Sequence, residues 1–341
     1  MIGAAMTASM RAACLVASGL VEVREFPVPQ PRADQVLVRM HYASICGSDV
    51  HIVFDGFHRE DQLGRPGYPG HEGVGVVERD GGGLTAGTPV LTVPHGQLGA
   101  CFAELQAVEA THVIPLPEGA DLRRTLLAQQ LGTTIFGMKK FLPVPTEPGP
   151  VEPGTAAVIG SGSAGLFYLQ HLVRRGFDVL VSDLDEGRLA VAKRLGAAQI
   201  VHEPAESIVA AVLAATDGVG ADVVIEAAGY DVARAAAVEA ARVRGTVGFF
   251  GYPELKGLAP FPVERSFRKS LTMEWVNGTQ QEHGLASFRA AIAAITAGEI
   301  EVDHCLEKMY ALDDAPEALA AARAHGHGAA KVGIVMPGAA E

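Results

Sequence analysis

The stretch TAAVIGSGSAGLF (155–167) constrains this chain more than any other. A run of apolar residues ends at Gly160, and a helical pattern starts near Ser163. Between them Gly160, Ser161, Gly162, Ser163, Ala164 and Gly165 spell G-x-G-x-x-G. The hexamer alone says little in a chain with 40 glycines, but a strand-turn-helix context gives each glycine a task. The first permits the tight turn, the second lets backbone approach a pyrophosphate, and the third lets helix and strand pack closely. The free N–H groups at the start of the helix face the anion. The next strand-like run, FDVLVSD, closes on Asp183, 18 residues after Gly165. A carboxylate there accepts hydrogen bonds from an adenosine ribose and repels the extra phosphate of NADP, so NAD is the expected cofactor.

Strand and helix patterns keep alternating after this turn, through AQIV, ADVVIEAAG, the helix-like DVARAAAVEAARVR and GTVGFFG. Apolar strands alternating with helices predict a doubly wound parallel sheet covered on both faces, within an α/β chain. The segment before it differs. From Met10 to about 120, short runs such as VEVREFPVP, DQVLVRMHY, GVGVVE and PVLTVP are punctuated by Gly and Pro. In DQVLVRMHY, Val36, Val38, Met40 and Tyr42 share one face, the period of a strand, so a barrel-like β unit is expected there. A helical stretch over 121–141 and the proline-rich connection PVPTEPGPVEPG (143–154) join the two. After about 283 come the helix LASFRAAIAAITAG, a second helix near Asp314 and a last strand, KVGIVM. The pattern leaves open whether this tail returns to the first domain.

With 341 residues, 48% hydrophobic and 19% charged, the chain can fill two cores and does not read as disordered. Its net charge of −12 and the lack of any basic run argue against nucleic acid and anionic membranes as partners. No apolar stretch approaches a bilayer span, and the opening MIGAAMTASM lacks the features of a signal peptide, so a cytoplasmic protein is expected. The cysteines Cys14, Cys46, Cys101 and Cys305 are too scattered for a disulfide framework or a zinc knuckle. Three of them read as small apolar residues.

Cys46 is different. It opens CGSDVH (46–51), read as a tight turn, and the chain later carries the adjacent pair His71-Glu72 in PGHEG. Thiolate, imidazole and carboxylate are all ligands zinc accepts, and three protein ligands with a fourth position open describe a catalytic ion. An adjacent His and Glu face one ion only if the chain bends, which Gly70 and Gly73 would permit. Ser48 and His51 suit the transfer of an alcohol proton to solvent, and Asp49 suits orienting a ligand. Taken singly, a cysteine in a β domain is more often core and a His-Glu pair more often surface. His325 and His327 in AHGHG read as a glycine-rich turn rather than a second metal site.

These motifs, in this order, resemble the zinc-dependent medium-chain dehydrogenase/reductase family from about Met10 to Met336. CGSDVH and PGHEGVGVVE are similar to its catalytic zinc signatures, VIGSGSAG with VSDLDEGRL to its NAD fingerprint, and KVGIVM to its closing strand. The resemblance implies a GroES-like β-barrel catalytic domain over 10–150, completed by 283–341, and a Rossmann NAD-binding domain over 151–282. It implies Cys46, His71 and Glu72 as zinc ligands, Ser48 and His51 as a proton relay, and Asp183 as the ribose partner. Arg188 belongs to the same NAD fingerprint, and Thr133, in QQLGTTIFG, falls where relatives touch the nicotinamide end. CGSD is similar to the polyol branch, whose substrates are secondary alcohols, and a homo-oligomer, dimer or tetramer, is expected. PHGQLGACFAEL replaces the family's four-cysteine lobe, so no structural zinc is expected. Gln129 stands where relatives often carry a ligand, and water is expected to complete the sphere. The rival readings are a metal-free NAD(P)H-dependent quinone or enone reductase and a non-catalytic nicotinamide-binding protein.

Overall fold

A computed structural model describes residues 8–95, 99–142 and 154–339. The proline-rich connection over 143–153 lies outside the described residues. Two compact units are present, one of Met1–Gln129, Gln280–His327 and Lys331–Glu341, the other of Gln130–Thr279 and Gly328–Ala330. The helix Ala128–Phe141 therefore belongs to the second unit from Gln130 onward.

In the first unit β1 (Ser9–Ala17) and β2 (Leu20–Pro27) form a hairpin. β3 (Gln35–Ile45) is flanked by β4 (Glu72–Val77) and also pairs with β6 (Leu105–Glu109). β5 (Pro89–Thr92) follows β4 in the sheet, and β7 (Val113–Pro115) forms its edge. Register matters here for chemistry. Ser44 on β3 lies opposite Glu72 on β4, so strand pairing alone brings a hydroxyl to the carboxylate.

The second unit is a six-stranded, wholly parallel sheet: β8 (Thr155–Ile159), β9 (Asp178–Asp183), β10 (Gln199–His202), β11 (Ala221–Glu226), β12 (Ala241–Phe249) and β13 (Thr272–Trp275). Their order is β10-β9-β8-β11-β12-β13. The chain runs outward from β8 through β9 and β10, then returns to the other side of β8, so the strand order reverses between β8 and β11. Leu166, Leu169 and Leu189 pack on one sheet face and Ile208, Val212 and Val238 on the other, so both faces are covered. Expected and observed elements differ at one boundary in this sheet. The helix DVARAAAVEAARVR stops at Ala240, and Ala241 begins β12 because the parallel ladder to β11 engages there. The tail returns to the first unit: β14 (Lys308–Ala311) pairs with β15 (Val332–Val335), which pairs antiparallel with β3.

One buried group in the second unit carries a pH signature. His171, on the helix Ser163–Val173, is 9% exposed, and its Nε2 lies 3.0 Å from Thr134 Oγ1. That hydroxyl already donates to the Leu131 carbonyl, so the imidazole Nε2–H is the donor. Burial, with Arg175 and Arg174 adding to it, pushes the His171 pKa down to about 3. Between that value and the ordinary imidazole pKa the unfolded chain binds a proton that the folded chain refuses, so stability falls as pH drops through this window. We expect the wild type to lose about 2 kcal/mol more than His171→Gln between pH 7 and pH 5. Urea midpoints at the two pH values measure this, and equal losses would refute it.

Candidate metal centre and dinucleotide turn

CGSDVH is a helix start rather than a turn. The helix runs Gly47–Phe54 with Cys46 as its N-cap, and the Asp49 Oδ2 accepts the Cys46 N–H at 2.9 Å. Gly, Ser and Asp favour turns and helix starts alike, and the carboxylate in the first turn decides for the helix. Ser48 and His51 are thereby three residues apart on one helix, within reach of a common face. His51 Nδ1 lies 2.8 Å from Asp55 Oδ2, one turn further on.

His71 precedes β4 and Glu72 is its first residue. Neither Gly70 nor Gly73 has a positive φ, so neither uses the backbone freedom peculiar to glycine. They are needed for close packing: a Cβ on Gly70 would run into the Phe102 ring, and one on Gly73 into Met40 and Cys101. The Cys46 thiol, a His71 ring nitrogen and a Glu72 carboxylate oxygen all lie within 4.8 Å of one another. Among the described residues this is the one such group of three or more.

Around this triad the partners are ordered. Asp49 is wholly buried, and its Oδ1 lies 2.9 Å from His71 Nδ1, which leaves Nε2 as the nitrogen for a metal. Burial would push the His71 pKa down, but the Asp49 charge and hydrogen bond outweigh it and hold the ring's proton well above the usual range. Glu72 is bound by the Ser44 hydroxyl and by Lys331, whose Nζ lies 2.7 Å from Oε2. Burial would raise the Glu72 pKa, yet the Lys331 ammonium and the His71 charge hold it below the ordinary carboxylate range. Lys331 is itself raised, since the Glu72 charge outweighs the burial that would lower it. Cys101, packed behind Gly73, is pushed by burial up to about 12, so it stays a neutral thiol beside the triad. Cys14 and Cys305 are buried as well. Gln129 is buried at 2% exposure in the same unit.

Lys331 was not legible as a site residue. A lysine flanking an apolar strand reads as a solvated end. The β15–β3 register pairs Val332 with Ile45, and one step further along the same ladder sets Lys331 beside Cys46.

In the second unit the glycine-rich turn follows β8. Gly160 has φ 94°, and a Cβ there would meet the Ala228 backbone at 3.0 Å. A Cβ on Gly165 would strike the Gly160 carbonyl, so helix and strand touch only because it is absent. At Gly162 a Cβ would meet nothing within 4 Å, which leaves open space where a ligand's phosphates can approach. Ser163 begins the helix, with its N–H on the Ala330 carbonyl at 3.1 Å and its hydroxyl on Gln130 Oε1. Ala164 is buried behind it. Asp183, at the end of β9, accepts from Ser161 and from the Asp185 N–H. The Arg188 guanidinium donates to the Ala329 carbonyl at 2.9 Å from Nη2. Thr133 lies partly exposed on the helix Ala128–Phe141. The turn has the strand-glycine-helix form that a dinucleotide's phosphates can approach, and the triad offers donor types that zinc accepts.

Residues 32–118 match the family model described as the alcohol dehydrogenase GroES-like domain, and residues 164–297 match that of the zinc-binding dehydrogenases. A probable zinc-binding alcohol dehydrogenase of Mycobacterium tuberculosis is 32% identical, over 92% of this chain and 86% of that protein. The chain belongs to the zinc-type medium-chain dehydrogenase/reductase family. An L-threonine 3-dehydrogenase of Pyrococcus furiosus is 27% identical over 85% of this chain and 88% of its own length. The solved alcohol dehydrogenase TADH from Thermus sp. ATN1 superposes with a TM-score of 0.79 at 25% identity, covering 96% of this chain and 100% of that one. Membership in the medium-chain dehydrogenase/reductase family makes this protein an oxidoreductase of the alcohol and ketone class, with a GroES-like β domain and a Rossmann sheet. No helix among the described residues is long and apolar enough to cross a membrane.

Proposed function

We propose that the protein is an NAD-dependent, zinc-assisted dehydrogenase interconverting a secondary alcohol, polyol- or cyclitol-like, with its ketone. The observation that carries this reading is the convergence of Cys46, His71 and Glu72 with Asp49 bonded behind the imidazole. Cys46, His71 and Glu72 would hold one zinc ion, and the Gly160–Gly165 turn with Asp183 would hold NAD. When bound, zinc supplies Lewis acidity at the alcohol oxygen and the nicotinamide supplies a hydride acceptor. Asp49 fixes the His71 tautomer and ring direction. Ser48 accepts the proton the alcohol loses, and His51 passes it on toward solvent with Asp55 beside it. In this proposal the catalytic domain is 10–150 completed by 283–341, and 151–282 is the NAD-binding domain.

We also assign the protein to a homo-oligomer. β13 is an edge of the parallel sheet, and Phe267, Met273 and Trp275 near it are 83%, 38% and 51% exposed. Trp275 stacks on Phe249 at the sheet edge with half its surface bare. An apolar edge strand of this kind is usually covered.

The test uses protein purified without added zinc. Elemental analysis should find about one zinc per chain, NADH should form from NAD with secondary alcohols, and light scattering should give a mass above 35.5 kDa. Protein free of metal that reduces enones with NADPH would replace this reading with a quinone or enone reductase. NAD binding without turnover of any alcohol or carbonyl would replace it with a non-catalytic binding protein.

A further inference from the structure

Resting on the dinucleotide reading above, we propose that the side chain of Ser161 is a positioning residue for Asp183 and sharpens the choice of a ribose hydroxyl over a ribose phosphate. Any residue at the second position of the turn would offer Asp183 a backbone N–H. Ser161 offers two donors to one oxygen: its N–H at 2.5 Å and its hydroxyl at 2.8 Å, both to Oδ2. The serine is wholly buried, so its hydroxyl has no water to bond instead. The Asp185 N–H donates to Oδ1 at 3.0 Å.

A carboxylate oxygen has about two in-plane acceptor positions. Both positions on Oδ2 are therefore filled from the turn, and one position is left, on Oδ1. Asp183 is partly exposed, and with Oδ2 fastened inward the open lone pair is the part that a ligand can meet. A ribose hydroxyl can donate to it without the carboxylate turning. A phosphate ester at the same place meets a fixed anion that cannot swing aside. Without the Ser161 hydroxyl, Oδ2 keeps one donor, the side chain gains freedom to rotate, and both the attraction and the repulsion weaken.

The experiment measures dissociation constants of NADH and NADPH by nicotinamide fluorescence on the full chain with no substrate. Wild type should prefer NADH. Ser161→Ala and Ser161→Gly should each weaken NADH about tenfold, with a smaller change for NADPH, so that the preference narrows. In an Asp183→Ala background, Ser161→Ala should change NADH binding no further. An unchanged NADH constant, equal weakening of both dinucleotides, or the same loss in the Asp183→Ala background would each overturn the proposal. Wild type that binds neither dinucleotide would overturn the dinucleotide reading itself, an outcome distinct from any failure at Ser161.

Discussion

On the proposed chemistry, replacing Cys46 with alanine should strip most of the zinc and lower alcohol oxidation by about a thousandfold or more. Cys46 is the one cysteine whose thiol lies with the His71 and Glu72 donors, and no fourth His, Cys, Asp or Glu among the described residues joins the group. Cys101 is not among the converging donors and packs behind Gly73 instead. His71→Ala should do the same. Asp49→Asn should be milder, weakening metal by about 10- to 100-fold, since it releases the imidazole without removing a donor. The measurement is zinc per chain after dialysis beside kcat, with NADH affinity in the absence of alcohol as the control for folding. A Cys46→Ala protein that retains stoichiometric zinc and full activity would remove the basis for the proposed chemistry.

Lys331→Met has the largest expected effect on stability. Lys331 and Glu72 are 5% and 1% exposed, and their charges meet at 2.7 Å. Removing one partner of a buried pair leaves the other ionised group without its counter-charge, at a cost of about 3–5 kcal/mol. Ser44 still bonds Glu72, but a hydroxyl does not neutralise it. The double variant Lys331→Met with Glu72→Gln should recover most of the loss, because an uncharged amide needs only hydrogen bonds. Added zinc should partly rescue the single variant and not the double one, since an ion at the triad offers the stranded carboxylate a second cation. Urea unfolding with and without chelator reads all of this. A single variant as stable as wild type in chelator would show that Glu72 does not depend on Lys331.

The strand-glycine-helix form of the Gly160–Gly165 turn is legible in the sequence because its parts are contiguous: strand, three glycines, helix, and an acid at the end of the next strand. Two of its glycines have the conformational and packing roles their positions suggest, Gly160 at φ 94° and Gly165 against a carbonyl. Gly70 and Gly73 show the limit of that reasoning. A glycine beside a site residue reads as freedom to bend, whereas here the absent Cβ makes room for Phe102, Met40 and Cys101. Ser161 occupies an unspecified position of the motif, and only the folded structure brings its hydroxyl to Asp183.

By itself the amino-acid order determined the α/β class, the strands, the glycine-rich turn and the donor types of the Cys46, His71 and Glu72 group, because periodicity and short motifs act over a few neighbouring positions. Tertiary structure decided which charges face the triad. Lys331 reaches Glu72 through the antiparallel pairing of the last strand with β3, and Ser44 does so through the pairing of β3 with β4. Register between strands distant in the chain follows from the packing of whole faces, and no local spacing records it.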